Sequence, residues 1–268
     1  MRGVISPFDR DALREQYRSA EPFPFFKIEN FLEPEFLKSV VEAYPTYEAA
    51  RGYGREFDAV NEKLKIQVTD SSKFPAPVKR LADELNSEAF LADLEYITGI
   101  PRLLADPALA GGGMHLTNTS GRLDVHVDFN FNSESKQFRR LNILLYLNPV
   151  WEEEWGGRIE LWDKDVTRAH HSFSPTLNRC VVFETSDLSF HGVTPIASPS
   201  QIVRKSYAAY YYTKEPPPDW DGEIHSTIFK ARPDEKFRGA VLMPAEKMKR
   251  SLSAKIDDAK KAVKKLID

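Results

Sequence analysis

What the chain has little of narrows it first. It holds one cysteine, Cys180, in 268 residues. That excludes an intramolecular disulfide framework and any cysteine-rich zinc site, and it suits a protein kept in a reducing compartment. A charge excess is also missing: 37 Lys plus Arg stand against 40 Asp plus Glu, a formal net charge of −3. No broad cationic field exists to gather nucleic acid, so no nucleic-acid partner is expected. No stretch approaches the roughly 20 apolar residues of a membrane span. The opening Met1-Arg2-Gly3-Val4-Ile5-Ser6-Pro7-Phe8-Asp9-Arg10 puts charge and proline where a secretion signal needs an apolar core. The expected setting is therefore the cytoplasm. No fixed-period repeat occurs, which excludes propellers and solenoids. Histidine is scarce too, six residues in all, so any metal or acid–base chemistry has few side chains to draw on.

What is present reads as helices followed by strands. Pro22-Phe23-Pro24-Phe25-Phe26 leads into residues 27–32, whose alternation suits a short strand. Pro34 then opens a helix in which Phe36, Leu37, Val40, Val41 and Tyr44 recur at helical spacing until Pro45. Residues 46–75 read as irregular. Val78, Leu81, Leu85, Phe90, Leu91, Leu94 and Ile97 predict one or two helices over 77–98, closed by Gly99 and Pro101. After Gly111-Gly112-Gly113 the period becomes strand-like, with candidates at 122–129, 140–147, 158–162, 179–184, 190–193 and 205–212. Short strands at this spacing predict a sandwich or barrel, so the fold class is α+β with a mainly β core. The expected organisation is one domain over 1–213, helical to residue 110 and β from 111. A proline linker and a charged helical extension over 214–268 follow it. The last 24 residues hold eight Lys/Arg against four Asp/Glu. Their stripe Met248, Leu252, Ile256, Ala259, Val263 and Leu266 is suited to docking on the body or on a second copy in a homodimer.

The chemistry centres on Asp124-Val125-His126-Val127-Asp128. In a strand, residues 124, 126 and 128 share one face while Val125 and Val127 occupy the other. A β face carrying two carboxylates and a histidine is costly unless a cation sits on it. Sixty-three residues after Asp128, Ser189-Phe190-His191-Gly192-Val193 places another histidine in a short strand. Two histidines and one carboxylate occupy one face of an octahedron and leave three positions open, the arrangement of non-haem Fe(II) oxygenases. Arg204-Lys205-Ser206 opens the last core strand. An arginine beside a serine on an interior face can hold a carboxylate, and the Tyr146 phenol can join them.

These pieces resemble, in order and spacing, the Fe(II)- and 2-oxoglutarate-dependent oxygenases, in their prolyl 4-hydroxylase-like branch. The resemblance runs over roughly residues 21–213. It is carried by the Pro22–Leu32 segment, His126-Val127-Asp128, Arg140-Leu141-Asn142-Ile143-Leu144-Leu145-Tyr146-Leu147-Asn148, Trp155-Gly156-Gly157-Arg158-Ile159-Glu160-Leu161-Trp162, Arg179-Cys180-Val181-Val182-Phe183, His191-Gly192-Val193 and Arg204-Lys205-Ser206. It implies a double-stranded β-helix, a cupin-like jelly roll, with His126, Asp128 and His191 on iron. It also implies Arg204, Tyr146 and Ser206 on the far carboxylate of 2-oxoglutarate. Fe(II), 2-oxoglutarate and O2 would be the cofactors, with ascorbate supportive, and the reaction would hydroxylate a C–H of a small molecule or peptidyl residue. Relatives that halogenate have a small residue at the carboxylate position, so Asp128 favours hydroxylation.

Other residues have simpler readings. Asp124 shares the metal face but fits a surface or substrate role. His115 reads as an ordinary hydrogen-bonded histidine near the pocket, His170-His171 as a loop, His225 as structural, and the tyrosines at 210–212 as sheet and core. Glu184 and Asp187 could orient His191. Loops 46–75, 102–122, 130–139 and 163–178 would set the substrate. Two alternatives remain: a catalytically silent jelly-roll binding module, against which the complete ligand set argues, and a cupin-type metalloenzyme with no use for 2-oxoglutarate or Arg204.

Overall fold

Alternation of side chains builds the β core. Along Gln137–Tyr146, Leu141, Ile143 and Leu145 join one hydrophobic cluster while Leu144 and Tyr146 join another, one on each side of the strand. The computed structural model describes residues 3–235 and 237–243. Its helices are α1 (Arg10–Ser19), α2 (Pro34–Ala43), α3 (Tyr47–Arg51), α4 (Ala76–Leu85) and α5 (Glu88–Thr98). The strands are β1 (Phe25–Ile28), β2 (Arg55–Phe57), β3 (Glu62–Val68), β4 (Leu104–Ala105), β5 (Gly113–Val127), β6 (Phe131–Asn132), β7 (Gln137–Tyr146), β8 (Ile159–Trp162), β9 (Ala169–Phe173), β10 (Cys180–Glu184), β11 (His191–Val193), β12 (Arg204–Thr213) and β13 (Ile228–Lys230).

The antiparallel sheet runs β1-β10-β7-β12-β5-β11-β8-β9. Strand β5 serves both halves of it. Its first residues pair with β12 and β3, Leu123 and His126 pair with β11, and Val125–Val127 pair with β13. A strand shared in this way curls the sheet, and its inner face becomes the wall of a cavity. On the outer side of one half, Val40, Val78, Leu81, Leu85, Leu94 and Ile97 of the helices pack against Met114, Leu116, Ile143, Leu145, Tyr207 and Tyr211. Local signals set the helix ends. Asp9 and Ser87 cap α1 and α5 with their side chains, Pro34 opens α2, and Gly99 ends α5 in the left-handed region at φ 74°. Phe23, Phe25, Ile159, Leu161, Val181 and Phe183 fill the interior beside the cavity. Ile143 is fully buried in the central strand. Ile143→Ala is expected to lower the unfolding free energy by about 2–5 kcal/mol, read as a lower urea midpoint at unchanged slope.

The six strands expected after residue 111 all form, within a few residues, except that β5 begins at Gly113, nine residues earlier than the pattern at 122 predicts, and the strand expected over 27–32 forms earlier, at Phe25–Ile28. Three departures bear on the site. Residues 46–75, expected irregular, hold α3 and the β2–β3 hairpin, with β3 paired to β5; the mixed polarity of Glu62–Val68 hides a strand whose polar side faces a cavity. His170 and His171 lie on β9 and not in the expected loop; His171 stacks on Phe173, and neither belongs to the cluster of His126, Asp128 and His191. Beyond the proline segment, β13 lays the chain back on β5. Trp220 packs on Phe138 at 4.9 Å, so the proline segment is tied to the body. The helix expected over 245–268, and the homodimer contact assigned to it, lie outside the described residues. Among the described residues no helix is long and apolar enough to cross a membrane.

Candidate active site

His126 and His191 are register partners on adjacent strands, so both side chains leave the same face, with ring centroids 4.3 Å apart. Asp128 follows β5 by one residue on that face. The His126 Nε2 lies 3.6 Å from Asp128 Oδ1 and the His191 Nε2 3.5 Å from Asp128 Oδ2. One ligand atom from each of the three comes within 4.8 Å of the others. Each ring donates its Nδ1–H to a backbone carbonyl two residues back, His126 to Asp124 at 2.8 Å and His191 to Ser189 at 2.9 Å. That fixes the tautomer and leaves both Nε2 lone pairs aimed at a carboxylate. Burial, with His126 beside it, pulls the His191 pKa down to about 3, so this imidazole is a neutral ligand at neutral pH. Burial acts to raise the Asp128 pKa, but Arg139 and the two histidines outweigh it and hold the carboxyl well below its usual range. Lone pairs facing an anion without a proton between them repel, and a divalent cation removes that conflict. The donor set fits Fe(II): two imidazoles and one carboxylate.

A second group supports Asp128. Arg139 places its guanidinium 3.0 Å from Asp128 Oδ2, Asn142 donates to the same oxygen at 2.7 Å, and Arg139 Nε donates to Asn142 Oδ1 at 2.9 Å. Tyr210 stacks under Arg139, whose guanidinium lies 3.5 Å from the ring centroid. Arg139 ends the segment 130–139 that is expected to be a loop, and Asn142 has no part in the expected site. Their signal in the sequence is Arg139 and Asn142 as polar residues of a largely apolar strand, Arg139-Arg140-Leu141-Asn142-Ile143-Leu144.

The third group lies on β12 and β7. Arg204 is buried, donates from Nε to the Gly157 carbonyl at 2.8 Å and from a terminal nitrogen to Ser206 Oγ at 3.3 Å, and its guanidinium stands 5.0 Å from the Tyr146 ring centroid. The Tyr146 hydroxyl is buried with no hydrogen-bond partner. Among the described residues no carboxylate pairs with Arg204. Arg204 and Ser206 line one cavity, and with the Tyr146 phenol beside the guanidinium they form a cradle for an anion.

The two groups share a cavity of about 570 Å³, lined by His126, Asp128, His191, Arg204 and Ser206, by Leu144, Ile159 and Phe183 between the two polar groups, and by Arg55, Phe57, Lys65 and Gln67 from the β2–β3 hairpin. Of the four segments expected to set the substrate, 46–75 and 102–122 line it, 130–139 contributes Arg139, and 163–178 contributes nothing. Thr227 and Phe229 line it from beyond the proline segment. His115 is buried in this wall with its Nε2 3.1 Å from both Gln67 and the Gly111 carbonyl, so it is both hydrogen-bonded and pocket-lining. Asp124 pairs with Arg122 and stands apart from the cluster of three. Neither Glu184 nor Asp187 orients His191: Glu184 accepts from Tyr17, and Asp187 pairs with His225. Tyr211 and Tyr212 are core residues, while Tyr210 faces the cavity.

A sequence profile of the 2OG-Fe(II) oxygenase superfamily matches residues 112–246. The prolyl 3-hydroxylase OGFOD1 of Mus musculus is 25% identical over 213 residues, which are 77% of this chain and 35% of that protein; the chain spans about a third of the length of this curated relative. Among solved structures, a prolyl hydroxylase from Trichoplax adhaerens, in complex with a peptide fragment of a hypoxia inducible factor oxygen degradation domain, aligns with a TM-score of 0.52 at 14% identity over 76% of this chain and 88% of that one. A Pseudomonas putida prolyl-4-hydroxylase aligns with a TM-score of 0.51 at 16% identity over 75% of this chain and 98% of that one. These likenesses establish the fold as the double-stranded β-helix expected from the sequence. The chain belongs to the 2OG-Fe(II) oxygenase superfamily, whose members work with Fe(II), 2-oxoglutarate and O2.

Proposed function

We propose that the protein is a dioxygenase that hydroxylates a C–H bond of a small molecule or peptidyl residue. In this reading 2-oxoglutarate, O2 and R–H become succinate, CO2 and R–OH. The observation that carries it is the joint placement of a two-histidine, one-carboxylate cluster and a buried, unpaired arginine in one cavity. His126, Asp128 and His191 would hold the iron, and Arg204, with Ser206 and the Tyr146 hydroxyl, would take the distal carboxylate of 2-oxoglutarate. Bound iron supplies the oxidising chemistry that couples loss of CO2 to C–H hydroxylation.

The chain's own residues do the positioning. The Asp124 and Ser189 carbonyls hold the two imidazoles in the ligating tautomer, and Arg139 with Asn142 keeps Asp128 ionised and oriented. Leu144, Ile159 and Phe183 give the span between metal group and arginine an apolar wall that limits water. Use of Arg204 favours this reading over a cupin-type enzyme without 2-oxoglutarate, and a complete cluster favours it over a silent module. We assign the oxygenase domain to residues 1–213, with an extension over 214–268 that adds Thr227 and Phe229 to its cavity wall, and its setting to the cytoplasm.

Succinate formation from 2-oxoglutarate with Fe(II) and ascorbate tests the reading. Wild type is expected to release succinate and His126→Ala to release at least 100-fold less, with Mn(II) binding lost in parallel. Equal metal binding by wild type and His126→Ala would overturn the assignment.

A further inference from the structure

Strand β13 lies off the main strand order of the sheet, yet it sits beside the cluster of three. Its register sets Phe229 opposite His126, with Ile228 opposite Val127 and Lys230 opposite Val125. Val125 and Val127 belong to the outer cluster, so Phe229 faces inward with His126. Thr227, two residues earlier, shares that face and also lines the cavity. The Phe229 ring centroid is 5.3 Å from that of His126, which has His191 on its other side at 4.3 Å. His126 is therefore enclosed between a fellow member of the cluster and a ring delivered from beyond residue 213.

The segment is held in place on both sides of β13. Asn130 donates to the Glu223 carbonyl at 2.9 Å, and His225 contacts Asp187 at 2.7 Å. Arg232 reaches Glu160 at 2.9 Å, and Arg122 reaches Glu235 at 2.8 Å. Anchors on both flanks of one short strand fix where its inward side chains stand. On β5 the strand flanks His126 from the edge opposite β11 and His191. Phe229, Phe129 and Tyr210 give the cavity three rings, the last two against Arg139.

Resting on the function proposed above, we propose that β13 is the substrate-facing wall of the active site and that Phe229, assisted by Thr227, is a specificity-determining residue that grips a compact apolar group presenting the C–H to be oxidised. Rings at fixed positions select by shape, and the Thr227 hydroxyl adds one polar contact.

The test uses the full chain loaded with Mn(II) and 2-oxoglutarate, so binding is read without turnover. A panel of N-acetylated tripeptides differing in the central residue, together with free heterocycles, is scored by paramagnetic broadening of ligand proton resonances. Wild type is expected to broaden members with compact apolar groups. Phe229→Ala should weaken the best of them at least tenfold and reorder the panel, Phe229→Leu should recover most of the affinity, and Mn(II) affinity should stay within about threefold of wild type. An unchanged panel order in Phe229→Ala, no panel member broadened by wild type, or a tenfold loss of Mn(II) affinity matching His126→Ala would each overturn the proposal; the last would make Phe229 a prop for His126. Failure of the functional reading looks different: wild type then forms no succinate with Fe(II), whatever the panel shows.

Discussion

Arg204→Ala is expected to raise the KM for 2-oxoglutarate by about 10²–10³-fold while leaving Mn(II) affinity near wild type. The argument starts from the cost of the native arrangement. Arg204 is 5% exposed, and burial acts to lower its pKa, opposed by the neighbouring Tyr146. Its only described hydrogen bonds run to the Gly157 carbonyl and to Ser206 Oγ, neutral acceptors that leave the charge of a buried guanidinium uncompensated on the cavity wall. Such a charge persists in a fold when a ligand carboxylate completes it. Truncating one side of a buried, hydrogen-bonded charge pair costs about 2–5 kcal/mol, which at about 1.4 kcal/mol per decade is about 1.4–3.6 decades, a span centred on the stated range. Arg204→Lys keeps the charge but loses the fork geometry and should fall between the two. Two measurements check this: the KM from succinate release, and the rise in melting temperature given by 2-oxoglutarate in the Mn(II)-loaded protein, which should vanish in Arg204→Ala. Full turnover by Arg204→Ala would remove the arginine from the binding of 2-oxoglutarate and revive the cupin-type alternative.

The residues in that prediction were legible in the sequence because β strands convert spacing into facing. Arg204 and Ser206 alternate on one strand, His126 and Asp128 on another, and period 2 puts each pair on one side without knowledge of the fold. What joins the strands is less legible. The pairing of His191 with His126 depends on a register between segments 65 residues apart, and only the family resemblance supplied it. The groups that hold Asp128 were missed because Arg139 and Asn142 act through a three-residue separation on a strand whose neighbours are apolar, a pattern that reads as core. Strand β13 was missed for a different reason. Three residues, Ile228-Phe229-Lys230, carry too little periodicity to register, and their role comes from where the chain returns. The β2–β3 hairpin shows the same limit: a strand facing a polar cavity alternates weakly, so composition reads it as loop.

The strongest single test of the metal group is Asp128→Ala, which should do two separable things. It removes one ligand of three, so Mn(II) should no longer raise the melting temperature. It also leaves the Arg139 guanidinium, 2% exposed, without the carboxylate that stands 3.0 Å away. Breaking a buried pair on one side costs about 3–5 kcal/mol, and at about 2–4 °C per kcal/mol for a chain of this size the chelator-treated variant should melt roughly 6–20 °C below wild type. Arg139→Met provides the converse. It leaves a carboxylate facing two imidazole lone pairs with no cation, so the metal-free protein should be destabilised, while a bound divalent ion supplies the missing positive charge. The stabilisation by Mn(II) should therefore be larger in Arg139→Met than in wild type and absent in Asp128→Ala. Combining Asp128→Ala with Arg139→Met removes both charges together and should recover most of the lost stability but none of the metal response, because the coupling between contacting charges is not additive. A metal response preserved in Asp128→Ala would mean that the carboxylate serves only Arg139, and the ion would then have to rest on the two histidines alone.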